Sequence, residues 1–337
     1  MKTHRIAVIG AGPSALFLVA ALLERATDPI GIDVIDRLPA PYGLVRYGVA
    51  PDHANIKAII TTFQKVFERE NVRFLGNVEF GRDLTLADVQ RHYDAVCYAN
   101  GASKDRHLGV AGEELEGSIS ATEFVMWYSG HPDAALGTDI HQRIAAIVPR
   151  LRTVAVVGAG NVAIDVTRIL AKSVAELRTT DIPDYVLDVL SQSHVRDIHV
   201  IARRGPAQAK FTTAELRELG EIPNVDVIVD ANELVLDDAS VASIASSAIA
   251  KRNMEVLREF STRPRTDAAR RIHLRFFLSP LALVGEGRLS GMHLQKNVLD
   301  EAFNAVPIDE TTHLDTELVL RSVGYRGVAL DGVVFDE

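Results

Sequence analysis

The sequence predicts an α/β protein whose parallel strands carry two nucleotide-binding turns, and three observations support this. A glycine turn, GAGPSA at 10–15, follows a short apolar strand and opens a helix. A second turn of the same kind, GAGNVA at 158–163, does so again. The strand after each turn ends in opposite chemistry: Asp36 after the first, Arg203 and Arg204 after the second. In such turns the first glycine (Gly10, Gly158) permits a tight backbone. The second (Gly12, Gly160) lets the chain approach a pyrophosphate, which the helix N-terminus stabilises. The fold class expected is therefore α/β with two Rossmann-like dinucleotide-binding domains.

In chain order, RIAVIG at 5–10 reads as a buried strand, 11–26 as a helix and IGIDVID at 30–36 as a second strand. Short, wholly apolar strands alternating with helices indicate a parallel sheet covered on both faces. The stretch 38–51 is rich in proline and glycine but too apolar for a solvated linker. Residues 54–70 read as one helix and 72–80 as a strand. YDAVCYANGA at 93–102 reads as a buried strand ending in a tight Asn-Gly turn. TVAVVG at 153–158 begins the second strand–turn–helix unit, which DIHVIA at 197–202 completes after a long helical insertion. A short helix follows at 213–222, then a helical pattern at 239–259 running into a basic stretch at 258–271. Strand patterns recur at 272–284, 289–299 and 317–323.

With 337 residues the chain is long enough for two cores. A net charge of −9 argues against general nucleic-acid binding. The single cysteine, Cys97, excludes an intrachain disulfide and a cysteine-ligated cluster; a small buried hydrophobe is the simplest role for it. No histidine pair has metal-ligand spacing, so no metal site is expected, and His194 and His199 are read as flanking a strand. The N-terminus carries no basic leader or cleavage site, which predicts a soluble, cytoplasmic protein.

Asp36 suits a ribose hydroxyl. Arg203 and Arg204 suit a 2′-phosphate, each charge-assisted hydrogen bond contributing roughly 1.5–3 kcal/mol. An acid-flanked site followed by an NADP(H)-type site is the arrangement of a flavoenzyme, in which FAD stays bound and the nicotinamide visits.

Five stretches closely resemble adrenodoxin reductase and the related bacterial ferredoxin–NADP+ reductases. They are LPAPYGLVRYGVAPDH at 38–53, ATEFVMWYSGHP at 121–132, GAGNVAIDVTRIL at 158–170, RRGPAQAKFTTAELREL at 203–219 and RSVGYRG at 321–327. The resemblance implies an enzyme that passes electrons from NADPH through FAD to a small ferredoxin-like iron–sulfur protein. It implies an FAD domain at 1–106, an NADP domain inserted at 107–327, and a return to the FAD domain at 328–337. Gly10, Gly12, Pro13, Ser14, Asp36, Leu44 and Val49 would line FAD, with Gly101 and Ala102 closing over it. Gly160, Asn161 and Val162 would face the NADP pyrophosphate, and Arg203 and Arg204 its 2′-phosphate. His53 and Glu215 would handle protons or position the nicotinamide. From the residues alone, His53 equally suits a cap on the helix starting near 54, and Glu215 a solvated first-turn acid.

The family's partner is acidic. Arg217, Lys251, Arg252, Arg258, Arg263, Arg265, Arg270 and Arg271 could supply a basic docking face. The family continues for roughly a hundred residues beyond Glu337 with a segment of the type GWIKRGPTG that packs on the flavin. Its absence here predicts an FAD domain open at one side, with a non-catalytic nucleotide-binding remnant as the alternative reading. A flavin monooxygenase or a glutamate-synthase-type electron-input subunit is a further alternative, but the latter's cysteine-ligated clusters are excluded by a single cysteine.

Overall fold

Each glycine turn follows a strand flanked on both sides, and each such strand seeds a parallel sheet. The computed structural model describes residues 2–336. One unit comprises Met1–Arg106, Ser129–Pro132 and Tyr325–Glu337; the other comprises His107–Tyr128 and Asp133–Gly324. The fold is α/β with parallel sheets, as the alternation of apolar strands and helices predicts.

In the first unit, β1 (His4–Ile9) lies between β2 (Ile30–Asp36) and β4 (Ala95–Tyr98), and β3 (Val72–Gly76) extends the sheet beyond β2, giving the order β3-β2-β1-β4, all parallel. Helix α1 (Pro13–Arg25) starts on Gly12 with proline at its first position, where the missing N–H costs nothing. It buries Ala15, Leu16 and Val19. The stretch after β2 carries α2 (Leu44–Tyr47), and the expected single helix at 54–70 is two, α3 (Ala54–Lys57) and α4 (Ile60–Phe67). The break has a local cause: Thr61 Oγ1 and the Thr61 N–H both donate to the Ala58 carbonyl, diverting it from regular helix bonding. Strand β3 ends short of residue 80, because Asn77 turns into the left-handed region at φ 58°. Helix α5 (Leu86–His92) starts on a capping box between Thr85 and Asp88. The tight turn expected at Asn100–Gly101 is instead an irregular extended stretch leading to β5 (Lys104–Asp105), although Gly101 does take φ 72°. Cys97 is only partly buried.

In the second unit, β6 (Ser118–Ser120) leads into α6 (Ala121–Tyr128), which places Phe124, Trp127 and Tyr128 in the core. Helix α7 (Asp139–Ile147) precedes β7 (Thr153–Val157) and α8 (Asn161–Ala171). The helical insertion is α9 (Val174–Leu177) and α10 (Asp184–Leu190), before β8 (Asp197–Ile201). Then come α11 (Thr213–Leu219), β9 (Val225–Val229), α12 (Asp238–Ala245) and α13 (Ala248–Thr262). The last two divide one expected helical run at Ser247, whose side chain caps α13 by accepting from the Ala250 N–H.

The expected strand at 272–284 also divides. Phe277, at φ 56°, separates β10 (Arg270–Arg275) from β11 (Leu278–Glu286). Strand β10 joins a six-stranded parallel sheet, completed by β14 (Leu318–Arg321), in the order β6-β14-β7-β8-β10-β9. Strand β11 starts an antiparallel layer with β12 (Arg288–Leu299) and β13 (Ala305–Asp315) that the alternation pattern did not predict. Helices cover one face of the parallel sheet. On the other face Ala155, Val157, Ile201 and Val319 pack with Leu283, Leu289, Met292 and Leu294 of the antiparallel layer. Beyond β14 the chain rejoins the first unit, where β15 (Tyr325–Arg326) pairs antiparallel with β5.

Candidate functional site

The two glycine turns occupy equivalent places, one in each unit. In both sheets the strand order reverses at the strand before the turn, β1 and β7, which opens a crevice at the strands' carboxyl ends. The Gly10 N–H donates to the Ile35 carbonyl at 2.7 Å, and the Gly158 N–H to the Ile201 carbonyl at 2.9 Å. A Cβ on Gly10 (φ 105°) would lie 2.4 Å from the Ala99 carbonyl oxygen. One on Gly158 (φ 140°) would lie 2.1 Å from that of Ser322. Both positions therefore require glycine on conformational and steric grounds.

The loop after the second strand is tied to each turn in the same way. The Tyr42 N–H donates to the Ala11 carbonyl at 2.8 Å, and the Lys210 N–H to the Ala159 carbonyl at 2.8 Å. This brings the 38–51 segment onto the first turn: a Cβ on Gly43 would sit 2.8 Å from the Gly12 Cα. Tyr42 itself is held at φ 88°, buried and stacked on Phe63. Leu44, at the start of α2, is 69% exposed, and the Val49 N–H donates to its carbonyl at 2.7 Å. The Asp36 carboxylate accepts from the Ala11 N–H at 2.7 Å and the Leu38 N–H at 2.9 Å, which fixes it against the first turn. Pro13 and Ser14 open α1, and Gly101 and Ala102 are exposed beyond β4, with open space around Gly101.

In the second unit a Cβ on Gly160 would meet nothing within 4 Å, so the start of α8 faces open space. Asn161 accepts from the Thr212 N–H at 2.9 Å through its side-chain oxygen, which turns its NH2 end toward other acceptors. Val162 is partly buried beside it. Arg203 is exposed and Arg204 half-buried. Among the described residues neither forms an ion pair with a carboxylate. Their backbone is anchored from β12 and the β10–β11 junction. Asn297 Nδ2 donates to the Arg203 carbonyl at 2.9 Å, and the Phe277 N–H donates to that of Arg204 at 3.2 Å. Asn297 is buried and also donates to Ser279 Oγ at 2.8 Å. Sequence reasoning missed Asn297, because nothing in a lone asparagine on a strand marks a partner 94 residues away. These features fit dinucleotides: glycine-lined helix starts, an acid held at the first, and two arginines without acidic partners at the second.

His53 stands at the N-cap position of α3, but its side chain makes no capping hydrogen bond, so the capping role is not the one it performs. Glu215 lies in the first turn of α11 and is buried, 8% exposed, which rules out the solvated-acid reading. Its N–H donates to Thr212 Oγ1 at 3.4 Å.

The basic residues do not all remain available for a docking face. Arg270 is partly buried and donates to the Ala171 and Lys172 carbonyls, closing the C-terminus of α8. Arg271 pairs with Asp197 at 2.6 Å, and Arg263 with Glu259 at 2.6 Å while also donating to the Gly220 carbonyl. Arg217, Lys251, Arg252, Arg258 and Arg265 are exposed. His199 does not flank a strand but lies within β8, while His194 precedes it. No helix among the described residues is long and apolar enough to cross a membrane.

No family model matches the sequence. The chain is 41% identical over 343 residues to the NADPH-ferredoxin reductase FprA of Mycobacterium leprae, spanning 99% of this chain and 73% of that protein. It is 37% identical to the mitochondrial NADPH:adrenodoxin oxidoreductase of Arabidopsis thaliana, over 98% of this chain and 69% of the relative. The structure of Mycobacterium tuberculosis FprA in complex with NADPH superposes with a TM-score of 0.93 at 39% identity, covering 99% of this chain and 74% of that one.

Proposed function

The chain belongs to the family of NADPH-ferredoxin and NADPH:adrenodoxin reductases, and we propose that it passes electrons from NADPH through FAD to a small ferredoxin-like iron–sulfur protein. The observation that carries this reading is the pair of equivalent glycine turns with opposite flanking charge, Asp36 at one and Arg203 with Arg204 at the other. On this reading residues 1–106 and 328–337 form the FAD domain, and residues 107–327 an NADP domain inserted into it.

The residues divide the work. Gly10 and Gly12 keep the backbone flat before α1, so that its first N–H groups and dipole meet the FAD pyrophosphate, with Pro13 and Ser14 in the first turn. Asp36, fixed by two backbone N–H groups, presents its remaining lone pairs to ribose hydroxyls. Leu44 and Val49 supply apolar contact, and Gly101 and Ala102 close over the cofactor. In the second unit Gly160, Asn161 and Val162 receive the NADP pyrophosphate. Arg203 and Arg204 fork onto the 2′-phosphate, favouring NADPH over NADH. The chemistry the flavin supplies when bound is acceptance of a hydride from NADPH and release of its electrons one at a time. His53 and Glu215 handle a proton or position the nicotinamide; the burial of Glu215 supports a role inside a site rather than in solvent.

The test is direct. The purified chain is reconstituted with FAD and freed of excess cofactor, and NADPH is added without oxygen. Bleaching of the bound flavin's visible absorption, followed by reduction of an added ferredoxin, is the expected result. A chain that retains no flavin, or whose flavin NADPH does not bleach, refutes the reading.

A further inference from the structure

Strand alternation and sheet register bring three potential metal ligands together on β8 and β10 of the second unit. On β8, Asp197 and His199 are two residues apart and so share a face. That face is opposite to Ile198 and Val200, which pack under the helices. Strand β10 is paired so that His273 lies directly beside His199. The two imidazoles are stacked with centroids 4.2 Å apart and planes within 5°. His273 Nε2 and an Asp197 oxygen are 2.8 Å apart. One donor atom from each of Asp197, His199 and His273 lies within 4.8 Å of the others. The register neighbours on either side are apolar, Ala155 on β7 and Ile228 on β9.

The His199 Nδ1 atom is buried and makes no hydrogen bond. Such an atom normally has a partner, and leaving one without a partner costs free energy unless something occupies it. We propose that Asp197, His199 and His273 form a binding site for a divalent transition metal of the zinc class.

Two imidazoles and one carboxylate are a donor set that Zn2+, Co2+, Ni2+ and Cu2+ accept, with water completing the coordination. Tetrahedral arms of about 2.0–2.2 Å set donor atoms roughly 3.3–3.6 Å apart, so the His273–Asp197 contact at 2.8 Å opens to admit the ion and the stacked rings turn out of parallel to aim both lone pairs at it. Binding of the cation at His273 Nε2 places that ring's one proton on Nδ1, so the ligand stays a neutral imidazole and the Nε2 lone pair faces the ion. Arg271 opposes the cation, holding Asp197 at 2.6 Å, but its side chain is 46% exposed and can move its charge into water. Arg275, the other nearby cation, is paired with Glu233 at 2.9 Å. Sequence spacing cannot disclose this site, because 74 residues separate His199 from His273 and only the sheet brings them together.

The experiment is a Zn2+ titration of the untagged full-length chain, near neutral pH, against a chromophoric chelator. One tightly bound equivalent is expected. His199→Gln and His273→Gln should each weaken it by at least roughly tenfold, and His194→Gln should not change it. No bound equivalent, or one unchanged in both variants, overturns the site. If a variant does not fold, the paramagnetic spectrum of the wild-type chain with one equivalent of Cu2+ decides the question. Coupling to two nitrogens supports the site, and coupling to fewer overturns it.

Discussion

Asn297 holds Arg203 in place: its Nδ2 donates to the Arg203 carbonyl at 2.9 Å from within the buried part of β12. The arginine thus owes its position to the antiparallel layer as well as to the strand that carries it. Replacing Asn297 with Ala leaves the Arg203 carbonyl unpaired. It should lower unfolding stability by about 1–3 kcal/mol and weaken NADPH more than NADH. Denaturant unfolding and coenzyme binding measured on the same variant check both effects. Unchanged discrimination between the coenzymes would limit Asn297 to a structural role.

Gly158 and Gly160 should separate folding from binding. Gly158→Ala drives a Cβ toward the Ser322 carbonyl, in a backbone conformation suited to glycine, and should destabilise the second unit by about 3 kcal/mol or more. Gly160→Ala meets no protein atom and should change stability little, while, on the function proposed above, it should crowd the NADP pyrophosphate and weaken NADPH. Urea unfolding paired with NADPH titration distinguishes the two. A destabilised Gly160→Ala protein with normal coenzyme affinity would reverse the assignment.

Acid should loosen the first unit through Asp33. Burial alone would raise this carboxyl, but hydrogen bonds from Arg73 and Tyr93 and the charges of Arg73 and Arg5 outweigh it and hold it below the ordinary 3.8. A carboxyl depressed in the folded state adds stability above its unfolded value and loses it as pH falls through the folded one. Stability should therefore fall below about pH 4. Asp33→Asn should cost about 1–3 kcal/mol at neutral pH and flatten that acid limb. Urea unfolding across pH reads both, and an unchanged acid limb would remove Asp33 as its cause.

The exposed cations of α13 offer a test of docking. If Lys251, Arg252 and Arg258 steer an acidic ferredoxin, reduction of that partner should slow as salt rises. Changing the three to Gln should flatten the dependence. Arg270→Gln should leave it unchanged, since that guanidinium closes helix α8. Rates that ignore salt in the wild-type chain would remove the docking face.

The glycine turns were legible because their requirements are local: spacing, a preceding apolar strand and a following helix suffice. Equally local were Asp36 and the arginine pair, each at a strand's carboxyl end. The breaks at Ala58 and Ser247 were not legible, since they arise from hydroxyls competing for backbone partners inside otherwise helical patterns. Strand β13 gave no alternation to read, because most of its residues are exposed on both faces. Asn297 and the His199–His273 pair depend on register between distant strands, which one sequence does not display. The burial of Glu215 likewise follows from tertiary packing; by itself its first-turn position suited a solvated acid.

The central claim is tested most directly by the rate of ferredoxin reduction by the FAD-reconstituted chain with NADPH and with NADH, in wild type and in the Arg203→Ala, Arg204→Ala double variant. Two charge-assisted contacts to the 2′-phosphate predict a preference for NADPH of roughly a hundredfold or more in kcat/KM, which collapses in the variant while the NADH rate persists. Equal rates with both coenzymes in the wild type, or no ferredoxin reduction with either, would contradict the account.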